Sequence, residues 1–315
     1  MQRRSDRQWQ APFAVDVSNV LSVHRRGFGD PAFAKDAYGA IWRSCRTPDG
    51  PGALRIAART VVSDDRTEPA RATIVRAQAW GPGADWLLDA MPGLLGADDR
   101  PEDFVPAHPV LREAARRHAA VRIGRSGLVM ESLVPAVLEQ KVVGKEAARS
   151  WRLLLRRFGE PAPGPTPPGM RVPPDSATWA SIPSWDWHRA GVEAVRSRTI
   201  AAAARAAGRI EEITQLPSDE ADRRLRSLPG IGVWTSAEVR QRSCGDPDAV
   251  SVGDYHLPAV VGLALVGEPV DDAGMLELLA PYQGHRHRAS LLAWLSGVRP
   301  ARRGARLSVR DYRTF

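Results

Sequence analysis

The chain has 315 residues, of which 43% are hydrophobic, and this is enough for one large domain or for two domains with their own cores. Its formal net charge is +8, and all but three of its 44 basic residues are arginines. That balance favours an anionic partner such as nucleic acid, although a general Arg-for-Lys bias in composition explains it equally well. The two cysteines, Cys45 and Cys244, are too few for a four-cysteine zinc or iron–sulfur site. The polar start and the lack of an apolar run of about 18 residues predict a soluble, intracellular protein without a membrane span.

The first hundred residues are predicted to form a small antiparallel sheet with a helix packed on it. Clusters of turn residues separate four β-prone runs: Phe13–Val17, Ala40–Cys45, Ala53–Ala58 and Ala72–Trp80. A helical pattern then runs from Ala84 to Leu95 and is closed by Gly96. Such a sheet and helix can bury a core together, so residues 1–104 are assigned to an N-terminal α+β domain.

From Ala107 onward the pattern is helical, and residues 105–315 are predicted to form an all-helical domain. One buried stripe is formed by Met130, Leu133, Val134, Val137 and Leu138. Residues 160–175 hold seven prolines in sixteen positions and are predicted to be a surface loop. Residues 298–315 are rich in arginine, which fits a DNA-contacting tail and, equally, a solvated disordered one.

The most informative stretch is Leu228–Thr235, which reads LPGIGVWT between two predicted helices. Gly230 and Gly232 allow backbone conformations that a Cβ would forbid, and they let a partner approach closely. Ile231 is predicted to fill the space between the helices, and the second helix is predicted to begin at about Val233. Its free amides and the positive end of its dipole suit a phosphate oxygen, which positions DNA without reading its sequence. The alternative is an ordinary turn between two helices.

Asp254 follows Gly232 by 22 residues and stands just before another apolar helix. A carboxylate there can stabilise the oxocarbenium character that develops when a purine N-glycosidic bond breaks. It can also orient or deprotonate the attacking water. A plain N-cap is the commoner role of an aspartate in this position, and the residues alone leave both interpretations open.

With these features the chain resembles the helix-hairpin-helix DNA glycosylase superfamily, most closely its bacterial 3-methyladenine DNA glycosylase II branch, over about residues 105–295. Three segments carry the resemblance: Leu228–Thr235, Ser251–Leu257 (SVGDYHL) and Leu133–Gln140 (LVPAVLEQ). The resemblance implies a mainly α fold, the helix-hairpin-helix DNA glycosylase fold, with a small N-terminal α/β domain. It also implies that Asp254 is the catalytic aspartate.

The same resemblance implies partners, location and cofactors. The partner is double-stranded DNA containing damaged bases, the protein is a monomer, and it is found in the bacterial cytoplasm at the nucleoid. No metal or cofactor is implied, apart from a monovalent cation bound by hairpin carbonyls, as in relatives.

The resemblance further assigns roles to residues around the hairpin. The predicted DNA contacts are Gly230, Ile231, Gly232, Val233, Thr235, Gln140 and Lys141. Trp234 is the candidate stacking platform for a flipped base, with core packing as the alternative, and Tyr255 is a second pocket candidate. Bifunctional members of the superfamily carry a lysine nucleophile at the position of Trp234. An indole cannot form a Schiff base, so strand cleavage is not expected.

Two segments depart from the pattern of the branch. Lys141 stands where an apolar wedge is expected, and Val142 is the nearest substitute. Residues 284–288 (GHRHR) replace an aromatic-bearing segment with groups suited to phosphate contact or to hydrogen bonds with a flipped base.

The sequence thus predicts a monofunctional DNA glycosylase that flips out alkylated purines of the 3-methyladenine type and leaves an abasic site. Three alternatives stay open: a glycosylase for another damaged base, a non-catalytic helix-hairpin-helix DNA-binding protein, and a bifunctional glycosylase-lyase.

Overall fold

The computed structural model describes residues 4–62 and 71–300, and its N-terminal part is built on one sheet. In chain order the elements are β1 (Arg4–Ala11), α1 (Val17–Ser22), β2 (Phe33–Lys35), β3 (Ile41–Thr47), β4 (Gly50–Val62) and β5 (Arg71–Trp80). The strands pair antiparallel in the order β1-β5-β4-β3-β2. Thr47 pairs with Gly50, so a two-residue turn joins β3 to β4.

Helix α2 (Ala84–Leu94) packs on this sheet and completes its core. Leu87, Leu88 and Met91 of the helix lie in one buried cluster with Leu54 and Ile56 of β4. The predicted sheet with one helix is therefore confirmed, because the apolar positions of alternate strand residues and of one helix face meet.

Three details of the N-terminal prediction were wrong. Phe13–Val17 is not a strand, since Asp16 caps α1 by accepting the Asn19 amide at 3.0 Å. β1 was not predicted, because it is an edge strand whose side chains are mostly exposed and show no apolar alternation. The short strand β2 was missed as well.

The rest of the described chain is almost entirely helical, as predicted. Its helices are α3 (Pro109–Arg117), α4 (Val129–Leu138), α5 (Gly144–Phe158), α6 (Ser176–Ser181), α7 (Ser184–Arg189), α8 (Ala194–Arg205), α9 (Ala207–Glu211), α10 (Ser218–Arg226), α11 (Val233–Ser243), α12 (Leu257–Leu265), α13 (Asp272–Leu279) and α14 (Arg286–Leu295). The predicted stripe on α4 lies in the larger of two helical cores, together with α5, α8 and α11. The other core joins α3 to α12, α13 and α14. Within the described residues, no helix is both long and apolar enough to cross a membrane.

The proline-rich segment 160–175 is not a free surface loop. It holds two short paired strands, β6 (Glu160–Pro161) and β7 (Arg171–Val172). Met170 is buried against Trp42 and Trp80, whose rings stack at 5.2 Å. The segment thus joins the sheet to the helical part of the chain, while the boundary at residues 104/105 stays a prediction.

Candidate functional site

Helices α10 and α11 form the predicted hairpin, and Gly230 sets its turn. The φ of Gly230 is +86°, in the left-handed region that favours glycine. A Cβ built on Gly230 would lie 2.1 Å from Thr199 Oγ1, so the turn packs directly on α8. Conformation and packing both require glycine at this position.

Gly232 differs from Gly230, because its backbone conformation does not require glycine, contrary to the prediction. Its φ of −95° and ψ of −176° are open to any residue, and a Cβ there would meet nothing within 4 Å. Ser236 donates the first helical hydrogen bond of α11, to the Gly232 carbonyl at 3.0 Å. The amides of Val233, Trp234 and Thr235 precede that ladder, so they face an open surface that the missing side chain of Gly232 leaves accessible.

Three of the residues predicted to contact DNA have side chains or amides that hold the hairpin together. The Gln140 amide nitrogen donates to the Gly230 carbonyl at 3.0 Å and to Thr235 Oγ1 at 2.8 Å. Ile231 is only 5% exposed and donates its own amide to Leu228. Thr235 is buried too, so Thr235 can reach a ligand only through its backbone. The Leu228 and Gly230 carbonyls already accept internal hydrogen bonds, and a cation at the hairpin stays a prediction.

Lys141 is the outermost residue of the turn between α4 and α5. It is exposed, and among the described residues it is the non-glycine residue with a positive φ, 54°. Val142 packs against the helical core, so it is not free to act as an apolar wedge. Val233 at the hairpin is 40% exposed.

Asp254 lies half-buried at the start of α12, and three donors hold its carboxylate. Oδ1 accepts the His256 amide at 2.8 Å and the Leu257 amide at 2.9 Å. Oδ2 accepts Trp234 Nε1 at 3.2 Å. The two interpretations of Asp254 are therefore compatible, since one oxygen caps the helix and the other is held by the hairpin helix.

The segment that carries Asp254 runs antiparallel along one face of α11. Trp234, Glu238 and Gln241 are spaced along the same helical face. Glu238 Oε1 accepts the Ser251 hydroxyl at 2.6 Å, and the Gln241 side-chain nitrogen donates to the Ala249 carbonyl at 2.8 Å. Together with the Trp234–Asp254 bond, these contacts fix the carboxylate relative to the hairpin.

The two predicted base-pocket residues occupy different environments. Trp234 is partly buried and packs on the helical core. It also lies beside Asp254, so the two interpretations of Trp234 do not exclude each other. Tyr255 is 86% exposed, and its ring meets the edge of His256 at 4.8 Å. Tyr255 therefore lies on the surface next to the carboxylate rather than inside a pocket.

A cluster of ionisable groups, missed by the sequence analysis, lies one helical turn beyond Trp234. Glu238 Oε2 pairs with Arg242 Nη1 at 2.7 Å, and Arg242 Nε donates to the Val23 carbonyl at 3.1 Å. Arg26 pairs with Glu139 at 3.6 Å. The cluster brings together residues from four separate parts of the chain, so a search of local sequence could not find it.

Burial changes the protonation of this cluster. Burial lowers the pKa of His24 well below its usual value and lowers that of His287 to about 4, so both rings are neutral at pH 7. For Glu238 burial acts to raise the pKa, but Arg242, the Ser251 hydroxyl and Arg26 outweigh it and hold the pKa below the usual range. The cluster thus combines an ionised carboxylate, guanidinium groups and neutral imidazoles.

The basic residues of segment 284–288 are already paired, contrary to the role considered for them. Arg286 Nε contacts Asp248 Oδ1 at 2.9 Å, and Arg288 forms a buried ion pair with Asp99. These cations hold α14 to neighbouring segments and leave little charge for phosphate. Most of the basic tail, residues 301–315, lies outside the described residues.

Comparisons with known proteins agree with this architecture. No protein-family model matches the chain. It is 31% identical over 169 residues to a probable bifunctional transcriptional activator/DNA repair enzyme AlkA of Mycobacterium tuberculosis. That alignment covers 52% of this chain and 34% of the relative, so the chain spans about a third of the length of the curated relatives it matches.

Solved structures are similar over almost the whole chain. One is a 3-methyladenine DNA-glycosylase from Archaeoglobus fulgidus, with a TM-score of 0.70 and 17% identity over 92% of this chain and 97% of that one. Another is an 8-oxoguanine glycosylase/lyase of Clostridium acetobutylicum in complex with double-stranded DNA, with a TM-score of 0.67 and 10% identity over 94% of this chain and 96% of that one. These likenesses confirm the predicted fold class.

Proposed function

Because the chain has the helix-hairpin-helix DNA glycosylase fold, we propose that it is a DNA glycosylase that hydrolyses the N-glycosidic bond of alkylated purines in duplex DNA. It works as a monomer in the bacterial cytoplasm, without a cofactor, and leaves an abasic site. The observation that carries the proposal is the hydrogen bond from Trp234 Nε1 to Asp254 Oδ2. It joins a phosphate-binding hairpin to a carboxylate in one rigid unit.

The free amides at the start of α11 accept a phosphate oxygen, and this fixes the DNA strand relative to Asp254. The target nucleotide leaves the stack so that its sugar reaches the carboxylate. As the bond from C1′ to the base nitrogen lengthens, Asp254 stabilises the positive charge on the sugar. The same carboxylate orients the water whose oxygen bonds to C1′ and accepts its proton. An alkylated purine carries a positive charge before cleavage, so it departs as a neutral base without a strong general acid.

The absence of lyase activity follows from the residue at the hairpin helix. The indole of Trp234 is not a nucleophile, so no Schiff base forms there. Lys141 directly follows Gln140, whose side chain binds the hairpin, so Lys141 is the lysine to test. Borohydride trapping on abasic DNA should yield no covalent adduct. An adduct that disappears in Lys141→Gln would instead identify a bifunctional enzyme.

The first test uses methylated duplex DNA that contains 3-methyladenine and 7-methylguanine. We expect the wild type to release free base and Asp254→Asn to release none while binding DNA at least as tightly, because an anion near phosphates has been removed. Asp175→Asn is the matched control, since Asp175 caps α6 by accepting the Thr178 amide at 2.7 Å, on a helix outside the site. Turnover by Asp254→Asn would overturn the mechanism, and tight binding without release by the wild type would favour the non-catalytic alternative.

A second candidate function, excision of another damaged base, is supported by Glu238 and Arg242. Glu238 follows Trp234 by four residues and therefore lies about 6 Å further along the axis of α11. A methylated cationic purine is held mainly by stacking on aromatic rings. A carboxylate and a guanidinium group instead match the hydrogen-bonding edge of a base, which they can bind once their own ion pair opens. Duplexes with 8-oxoguanine, hypoxanthine or uracil belong in the same assay, and release of one of these alone, lost in Glu238→Gln, would favour this second function.

A further inference from the structure

The loop between α1 and β2 carries an aromatic side chain that is almost fully exposed to solvent. Phe28 is 88% exposed and stands between Gly27, with a φ of +74°, and Gly29, with a φ of +72°. Single exposed apolar side chains are common and need no explanation by themselves. The way in which this loop is held distinguishes Phe28 from them.

The loop is fixed on both sides of the ring. The Gly27 carbonyl accepts Arg25 Nε at 3.2 Å, and the Phe28 carbonyl accepts Arg152 Nη1 at 2.8 Å. At its base, the two Asp30 oxygens accept the Arg26 amide at 2.7 Å and Trp151 Nε1 at 2.8 Å. The backbone is thus ordered before any partner arrives, and little further entropy is lost when the ring is buried in an interface.

The loop packs closely on α5. A Cβ built on Gly27 would lie 2.7 Å from the Ala148 Cβ, so there is no room for a side chain beneath the ring. α5 carries Lys145, Arg149, Arg152 and Arg156 at i, i+4, i+7 and i+11, which places them on one face of the helix. A single acidic residue, Glu146, lies within that stretch. Phe28 therefore stands beside a strongly basic helix face, which matches the backbone of a nucleic acid.

A chain of contacts connects this loop to the hairpin. Arg26, two residues before Phe28, pairs with Glu139 at 3.6 Å. Glu139 ends α4 and is followed by Gln140, which binds the Gly230 carbonyl at 3.0 Å. The loop that carries Phe28 is thus connected to the hairpin by one ion pair and one hydrogen bond.

We propose that Phe28 is a stacking wedge that enters duplex DNA and fills the space left by a displaced base, while the basic face of α5 holds the phosphates beside it. Duplex DNA as the partner rests on the proposed function. At the turn between α4 and α5, Lys141 is charged and Val142 is partly buried against the helical core, so neither residue presents a free apolar side chain there. An aromatic ring inserted between base steps compensates for part of the lost stacking energy.

The test compares Phe28→Ala with a matched control, Tyr38→Ala. Tyr38 is 91% exposed on the same sheet domain, in the turn between β2 and β3. Both variants should melt at the wild-type temperature, because both rings are exposed. Binding is measured with duplexes that carry 2-aminopurine next to the lesion, in an Asp254→Asn background, so the readout does not need catalysis.

We expect 2-aminopurine fluorescence to rise when the protein with Phe28 intact, or the Tyr38→Ala variant, binds DNA, because the 2-aminopurine loses its stacking partner. Phe28→Ala should abolish this rise. Base release by the catalytically active form of Phe28→Ala should fall at least tenfold on duplex DNA and stay unchanged on the same lesion in a single strand.

Other outcomes separate the two proposals. A fluorescence rise that depends on Phe28, without base release by the wild type, supports the wedge and overturns the glycosylase. Wild-type fluorescence and duplex release in Phe28→Ala overturn the wedge and leave the glycosylase intact. No binding of the wild type to any duplex overturns both, and it would assign the basic face and the ring to a partner other than DNA.

Discussion

At the scale of single residues, Trp234 makes two contacts that a substitution can separate. Its ring packs against the helical core, and its Nε1 donates to Asp254 Oδ2 at 3.2 Å. Phenylalanine keeps most of the packing and removes the donor. The substitution therefore tests whether the indole acts through its ring or through its hold on the carboxylate.

We expect Trp234→Phe to slow single-turnover base release by roughly 10- to 100-fold, since a hydrogen bond to a charged group contributes about 1.5–3 kcal/mol. Affinity for duplex DNA should stay close to that of the wild type. Trp294→Phe is the control, because Trp294 is partly exposed on α14. A wild-type rate in Trp234→Phe would show that the His256 and Leu257 amides alone hold Asp254.

The two hairpin glycines should respond in opposite ways to alanine. Gly230→Ala should destabilise the fold by at least about 1–2 kcal/mol, the penalty of a left-handed conformation, and the clash with Thr199 adds to it. Gly232→Ala should leave stability unchanged and weaken binding to all duplexes alike, because phosphates carry no sequence information. Urea denaturation and affinities for several unrelated duplexes measure the two effects, and the reverse pattern would contradict the assignment.

The sequence identified positions at the site better than it identified the directions of side chains. Asp254 and Trp234 were found because a motif fixes their spacing, and the structure brings them into contact. Gln140 and Thr235 were predicted to contact DNA, yet their side chains bond to the hairpin itself, because a motif does not say which atoms face outward. Ile231 is buried in the helical core, in agreement with its predicted place between the helices. Glu238 was missed, since its partners Ser251 and Arg242 acquire meaning only after the chain folds.

At the scale of elements, α11 is held at its start, along one face and at its end. Gln140 binds Thr235 in its first turn, the segment from Ala249 to Asp254 lies along it, and Arg242 near its end reaches the Val23 carbonyl. These contacts come from parts of the chain far apart in sequence. The helix is therefore placed by tertiary contacts rather than by its own propensity.

Gln140→Ala should loosen the hairpin. The buried Thr235 hydroxyl would lose its donor, which costs about 1–3 kcal/mol, whereas water can replace the donor at the exposed Gly230 carbonyl. We expect a lower melting temperature and weaker duplex binding together. Gln215→Ala serves as the control, because the side chain of Gln215 is exposed and bonds only to the neighbouring Thr214. Unchanged stability in Gln140→Ala would mean that water replaces the amide.

Elements with a strong periodic pattern were predicted well, and elements held by backbone pairing alone were not. α4 was found from its buried stripe. β1 pairs with β5 from Arg4–Trp80 to Ala11–Thr73, yet its side chains are mostly exposed, so no alternation marks it. The proline content of segment 160–175 indicated a loop but could not show that Met170 meets Trp42 and Trp80.

At the scale of the whole molecule, ionic contacts dock the sheet onto the helices. Arg43 of β3 pairs with Glu131 of α4 in a buried ion pair, and Arg26 pairs with Glu139. His24 lies in the same region, where burial lowers its pKa. Periodicity in the sequence cannot reveal such pairs between distant segments.

Stability should fall as the pH drops from about 6.5 toward 4. His24 has a pKa well below its usual value, and the pKa of His287 is about 4. The unfolded chain binds protons at these residues below its pKa of about 6.5, while the folded chain does not, so each histidine costs about 1.4 kcal/mol of stability per pH unit in that window. Above pH 6.5 neither state is protonated there, and neither residue contributes.

The check is the free energy of unfolding in urea from pH 7.5 to pH 4.5. His287→Gln should flatten the slope below pH 6.5, and His188→Gln should leave it unchanged, because His188 is exposed on α7. Equal slopes in wild type and His287→Gln would show that the ring is protonated in the folded protein.

The short, stiff connection between the start of α11 and Asp254 has a consequence for how damage is located. Only one residue, Val233, separates Gly232 from Trp234, which holds the carboxylate. If the start of α11 binds one phosphate of a DNA strand, the sugar that reaches Asp254 lies a fixed number of nucleotides from that phosphate, whichever base the sugar carries. Under the proposed function, the distance from the bound phosphate to the sugar at Asp254 is the same for every nucleotide. Damaged and intact nucleotides would then be distinguished only when a base leaves the stack.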